Sequence, residues 1–222
     1  MSAPISGPIA LGALDLAALL CSRVCHDLIS PVGAIVNGLE VMDEDKDEET
    51  KVFALDLIKK SAKQASAKLQ FCRLAFGAAG SLGASIDTGD AETVTRALLV
   101  NEKTSLAWGA PRQFLAKNKV KLLLNLCLIA QSTVPRGGVI SVDLSGQDES
   151  LAMRVQAKGP NARLASGVAD LVAGRPESGA VDAHSIQPYF AGLMARECGM
   201  EVAITVEAES VTFEARPTGV KA

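Results

Sequence analysis

Apolar residues recur with alternating steps of three and four from Leu14 through Ala17, Cys21, Val24, Leu28, Pro31, Ile35 and Gly38 to Met42. That heptad spacing predicts one long helix over residues 13–44. A second apolar line, Leu20, Ile29, Val32, Val36 and Leu39, runs along the same helix, so two of its sides ask for burial. The acidic run at 43–50 breaks the pattern and reads as a solvated turn. The step of three or four resumes in Val52, Leu55, Ile58, Ala62, Ala65, Leu69, Cys72 and Phe76, predicting a second helix over 50–77 with Lys59, Lys60, Lys63 and Lys68 off its stripe. Each helix would be about 45 Å long. A lone hairpin of that shape cannot cover two apolar sides, and pairing with a second copy into a four-helix bundle is the simplest remedy.

The texture changes after a Gly-rich stretch from Gly77 to Gly89, read as a linker. Residues 90–101 suggest a short helix, 104–108 a strand, and 112–133 a helix with a dense apolar centre from Val120 to Ala130. Alternation over 139–144 and 151–156 predicts a hairpin, residues 186–198 a helix, and 201–207 with 210–216 a last hairpin. Helices mixed with antiparallel hairpins give an α+β chain. Its expected units are a helical hairpin over residues 10–79 and an α/β sandwich over 87–218.

Composition narrows the function. With 48% hydrophobic and 21% charged residues, the 222-residue chain is a folded protein. A net charge of −3 without a basic run is unsuited to nucleic acid. The apolar N-terminus lacks an early Lys or Arg and is interrupted by Asp15, so neither an export signal nor a membrane span is expected. Five scattered cysteines without a C-x-x-C pair read as reduced residues of a cytoplasmic protein. Cys21 and Cys25 flank His26 but lack the spacing of a zinc site.

With Cys21 and Val24 on the heptad seam, His26 falls on the outer face of the first helix. A neutral imidazole there keeps a free lone pair, and Asp27 can accept a hydrogen bond from its Nδ1–H. Pro31 should bend the helix just beyond. An exposed histidine is also a common surface residue, and periodicity alone does not separate the two. His184, in a loop, reads as an ordinary loop residue.

The segment His26-Asp27-Leu28-x-Ser30-Pro31-x-x-Ala34-Ile35 resembles the H box of two-component histidine kinases, with the proline five residues after the histidine as in H-E-L-R-T-P. The second half resembles the ATP-binding (Bergerat) domain of that family with its nucleotide chemistry missing. Lys121 to Ala130, including Asn125, is similar to an N box, but Ile129 stands where an asparagine would help hold Mg²⁺. At the D-x-G-x-G box, Ala157 stands where the adenine-reading aspartate would be, and Asn161 replaces the second glycine. The segment His184-Ser-Ile-Gln187 falls at the phosphate loop without its glycines.

Together these features resemble the histidine phosphotransferases of alphaproteobacteria, over nearly the whole chain. The resemblance implies a cytoplasmic homodimer with a dimeric four-helix bundle and a degenerate ATP-binding domain. It implies a phosphorelay enzyme in cell-cycle control. His26 would accept phosphate from the receiver domain of a hybrid histidine kinase (CckA-like) and pass it to the aspartate of response regulators (CtrA-like and CpdR-like). The chain would then need no cofactor of its own: Mg²⁺ would come with the partner receiver domain, and ATP would not bind. Catalysis falls to His26, oriented by Asp27. Docking falls to Arg23, Ser30, Pro31, Val32, Asn37 and Glu40 around the histidine, with Phe71 and Arg73 on the facing part of the second helix. Two other functions fit the same motifs: an active kinase with a divergent ATP site, and a non-catalytic dimeric scaffold that binds response regulators.

Overall fold

The computed structural model describes residues 7–44, 47–77 and 85–219. Helix α1 spans Ala13–Glu44 and passes through Pro31 without a break. Helix α2 spans Glu48–Ala75. It starts two residues earlier than periodicity suggests because Asp47 caps it: the Asp47 carboxylate accepts from Thr50 N at 2.9 Å and Thr50 Oγ1 at 2.8 Å. The turn between the helices is therefore partly a cap, while residues 45–46 lie outside the described residues.

On α1 the seam from Val24 to Met42 faces inward, with Pro31 and Gly38 fully enclosed; Leu14, Ala17 and Cys21 on the same line are exposed. The predicted α2 stripe faces inward only in part, at buried Ala65 and half-buried Ile58, Cys72 and Phe76, and the buried side is shifted from it. That buried side runs through Ala54, Ser61, Ala65, Phe71 and Ala75, whereas Val52, Leu55 and Leu69 are exposed. Small residues let the two backbones approach, and a Cβ on Gly38 would come within 2.7 Å of Ile58 Cγ1. Small residues at the closest approach let the apolar seam of α1 settle against α2.

By length and composition α1 is apolar enough to cross a bilayer, with a mean hydropathy of 1.4 over its most apolar window. The sequence holds no unbroken run of that length because Asp15, Arg23 and Asp27 are spread among the apolar positions.

The remaining chain builds a two-layer sandwich. Strand β1 (Ser85–Asp87) leads into α3 (Thr88–Leu99). The Asp87 carboxylate caps α3 by accepting from Gly89 N at 2.8 Å, so the predicted linker ends before Ser85, and residues 78–84 lie outside the described residues. Strand β2 is Thr104–Trp108. The stretch read as one helix over 112–133 divides into β3 (Phe114–Ala116), which pairs with β1, and α4 (Lys117–Ser132). Then come β4 (Gly138–Ser145), β5 (Ala152–Lys158), the short α5 (Val168–Ala173), α6 (Ile186–Glu197), β6 (Met200–Glu207) and β7 (Ser210–Pro217).

The main sheet has the order β2-β4-β5-β7-β6, with β2 parallel to β4 and the other neighbours antiparallel. Its strands alternate inward apolar with outward polar residues. Ile140, Val142, Met153, Val155, Phe213 and Ala215 meet α4 and α6 on one face, while Asp143, Arg154 and Glu214 lie on the other.

Three ties seat the hairpin on the sandwich. Phe71 and Ala75 of α2 belong to the sandwich core, and Phe76 packs on Phe190 at 5.8 Å between ring centres. Buried Asn125 donates from Nδ2 to Ala75 O at 3.3 Å and to Lys121 O at 2.9 Å. Ahead of α1, Ile9 N donates to Gly174 O at 2.8 Å, and Tyr189 Oη donates to Ile9 O at 3.0 Å.

Candidate functional site

His26 sits near the middle of α1, with 67% of its side chain exposed, on the outer face that its heptad position predicts. The next side chain, Asp27, is turned toward the protein. Its Oδ2 accepts from Arg23 Nε at 2.9 Å, one helical turn back, and its Oδ1 lies 3.6 Å from His26 Nδ1. Arg23 and Asp27 are both about one-quarter exposed. Lys68 reaches across from α2 and donates from Nζ to the backbone carbonyl of Asp27 at 2.7 Å. Behind the pair, burial first and the charge of Asp27 second push the Cys72 thiol up to about 11, so Cys72 stays protonated and inert near neutral pH.

This arrangement suits nucleophilic chemistry. The carboxylate is fixed by a guanidinium and so turns its other oxygen toward Nδ1 of the imidazole, while most of the ring faces solvent. Among the described residues, no group of three or more His, Cys, Asp or Glu is placed to hold a metal ion.

The chain has two histidines, and the structure brings them together. The His184 ring lies edge-on to His26, with ring centres 5.6 Å apart and planes at 81°. Sequence reading treats His184 as an ordinary loop residue, and no local motif marks it; only the docking of α6 beside α1 reveals the pairing. His184 also lines a cleft of about 470 Å³ together with Arg23, Lys103, Ile129, Gly137 and Gln187.

Of the positions that resemble nucleotide boxes, Ile129, Gly137, His184 and Gln187 line this cleft, whereas Asn125, Ala157 and Gly159 lie outside its lining. Ile129 is an apolar wall. Ala157 points into the sheet core, paired with Ile140 and Val211. Asn125 is committed to the α2 terminus, and its buried Oδ1 has no partner among the described residues. Gly159 serves packing instead, since a Cβ there would collide with the carbonyl of Gly137. Buried Gln187 leaves its Nε2 without a partner among the described residues.

Of the predicted docking residues, Ser30, Val32, Asn37, Glu40 and Arg73 are exposed and Arg23 is partly so. Two are corrected. Phe71 is 0% exposed, because that part of α2 lies against the sandwich and its ring joins the core. Pro31 is buried on the α1 seam, in the helix that packs against α2. Neither can touch a partner directly.

Comparison with known proteins agrees with the geometry. Residues 88–210 match the family model described as "Histidine phosphotransferase C-terminal domain". The chain is 49% identical over 211 residues to "Protein phosphotransferase ChpT" of Brucella abortus (strain 2308), covering 95% of this chain and all of that one. A crystal structure described as "1.7 Angstrom Structure of a Bacterial Phosphotransferase" superposes with a TM-score of 0.87 at 48% identity, over 95% of this chain and all of that one. A helical hairpin presenting an acid-flanked histidine, a sandwich with the family's sequence signature and near-complete coverage of a phosphotransferase relative have one reading: the chain belongs to the histidine phosphotransferase family and is a phosphotransferase of the two-component type.

Proposed function

We propose that His26 is the phosphoryl carrier, taking phosphate from the aspartate of one receiver domain and delivering it to the aspartate of another. The observation that carries this reading is the exposed His26 imidazole beside an Asp27 carboxylate oriented by Arg23. An unprotonated ring nitrogen attacks the phosphorus of the donor's aspartyl phosphate. The N–P bond forms, the P–O bond breaks, and the donor aspartate leaves as a carboxylate. The ring keeps its other proton and carries the positive charge, which Asp27 faces. In the second transfer the acceptor carboxylate attacks phosphorus, the O–P bond forms, and the N–P bond breaks to return the neutral imidazole.

Phosphoryl transfer of this kind depends mainly on positioning and charge neutralisation. In our reading the receiver supplies the Mg²⁺, and the chain binds neither ATP nor a metal of its own. Ile129 and Ala157 support this, because they put hydrocarbon where nucleotide and metal recognition need oxygen. Docking involves Arg23, Ser30, Val32, Asn37, Glu40 and Arg73.

The working unit is a cytoplasmic homodimer. Ile29, Val36 and Leu39 form an exposed strip on α1, and Val52, Leu55 and Leu69 another on α2. Exposed apolar strips of this length favour a partner helix pair. The donor is a hybrid kinase receiver of the CckA type and the acceptors are CtrA-like and CpdR-like regulators in cell-cycle control, as the family resemblance implies.

The test is label transfer from a receiver domain phosphorylated on aspartate, with Mg²⁺ and without ATP, to wild type and His26→Ala. Acid-labile, base-stable label on wild type only is the expected result. Label acquired from Mg-ATP alone would favour the kinase. Binding of the receiver without label would favour the scaffold.

A further inference from the structure

We propose that His184 is a positioning residue for phosphoryl transfer, its ring fixing the plane of the His26 imidazole. The inference rests on the reading of His26 as the carrier.

His26 needs such support. It stands on the outer face of a helix, mostly in solvent, with two rotatable side-chain bonds. Its one neighbouring carboxylate gives only a loose restraint: Asp27 Oδ1 is 3.6 Å from Nδ1, beyond a good hydrogen bond, and Oδ2 is committed to Arg23. A ring free to spin about its last bond presents its nucleophilic nitrogen in the wrong direction much of the time, and in-line attack tolerates little misalignment. The edge-on contact with His184, at 5.6 Å and 81°, lies within the preferred geometry of paired rings. It restrains one side of His26 while leaving the rest of the ring accessible.

His184 is exposed, but its backbone is held in a tight turn. Asp182 Oδ1 accepts from His184 N at 3.0 Å, from Ser185 N at 2.8 Å and from Ser185 Oγ at 2.7 Å. Ser185 Oγ accepts from Asp182 N at 2.8 Å, closing the loop on itself. The next residues, Ile186 to Phe190, are buried at the start of α6. The Tyr189 hydroxyl then ties that helix to the segment leading into α1. The sandwich therefore delivers a ring from a fixed loop to a histidine on the hairpin, giving the former nucleotide side of the fold a part in the relay.

The experiment is single-turnover transfer from a labelled, aspartate-phosphorylated receiver over a range of receiver concentrations, using wild type, His184→Ala, His184→Phe and His26→Ala. His184→Ala should lower the saturating rate about tenfold and leave the half-saturating concentration within about twofold of wild type. His184→Phe keeps an edge-on ring and should restore the rate. The His26 ring-proton signals should differ between wild type and His184→Ala and return toward the wild-type positions in His184→Phe, a ring-current signature of a ring held against His26 that tracks the rate.

An unchanged rate in His184→Ala, a loss shared equally by His184→Phe, or an effect confined to half-saturation would overturn the inference. His26→Ala tests the underlying reading separately. Label on that variant would refute His26 as carrier, whereas a dead His26→Ala with a fully active His184→Ala would refute only the role of His184.

Discussion

Phe71→Ala separates a docking residue from a core residue. The ring is 0% exposed and belongs to the cluster that joins α2 to the sandwich. Removing a buried aromatic ring loses its transfer free energy and leaves a cavity, which together cost about 3–5 kcal/mol. For a chain of this size each kcal/mol lowers the melting temperature by about 2–4 °C, so the variant should melt about 6–20 °C below wild type. The assay is thermal unfolding at fixed protomer concentration, because subunit association also shifts the midpoint. Receiver affinity is then measured well below both transitions and should be retained. A variant that melts within about 1 °C of wild type yet loses receiver binding would refute the burial argument and return Phe71 to the surface.

Four further predictions follow from particular contacts. Asp27→Asn removes the carboxylate that faces His26 and pairs with Arg23, and should slow single-turnover transfer by roughly one to two orders of magnitude; an unchanged rate contradicts the orienting role. Gly38→Val forces a side chain onto Ile58 and should cost about 1–3 kcal/mol in urea unfolding, while Gly33→Ala, with nothing within 4 Å of the added carbon, should gain up to about 1 kcal/mol. Ile29→Glu with Val36→Glu places charge on the exposed α1 strip and should give a monomer in sedimentation; a persistent dimer places the interface elsewhere. Hydrogen bonds from Ser185, with a smaller contribution from His184, hold the Asp182 carboxyl below the usual carboxylate range. Its capping stability is present above the ordinary aspartate value of 3.8 and is lost as pH falls through the lowered one. The Asp182 side-chain carboxyl carbon signal should therefore keep its ionised position from neutral pH to pH 5 and move only in stronger acid.

The long elements were legible because their periodicity is repeated many times. Residues 13–44 carry enough turns for the seam to stand out, and the two hairpins of the main sheet alternate cleanly. What was lost has physical causes. Strands β1 and β3 are three residues each and exist only because they pair with each other, far apart in the chain. Helix α5 has six residues, too few to show a period. Four of the five buried residues of α2 are Ala or Ser, so a search for large apolar residues also takes in the exposed Val52, Leu55 and Leu69. Phe71 looked like a partner contact because its burial comes from the sandwich, not from α1. His26 and Asp27 were legible because the chemistry sits in one helical turn. His184 was not, because its place beside His26 depends on how α6 docks against α1.

Because the chain holds two histidines in ring contact, the most direct measurement is to locate the phosphate. Wild type would be reacted with an aspartate-phosphorylated receiver, digested with trypsin at alkaline pH and analysed by tandem mass spectrometry. The account predicts phosphate on His26, in the peptide spanning residues 24–46. Phosphate on His184, or on neither histidine while the receiver still loses its phosphate, would contradict it.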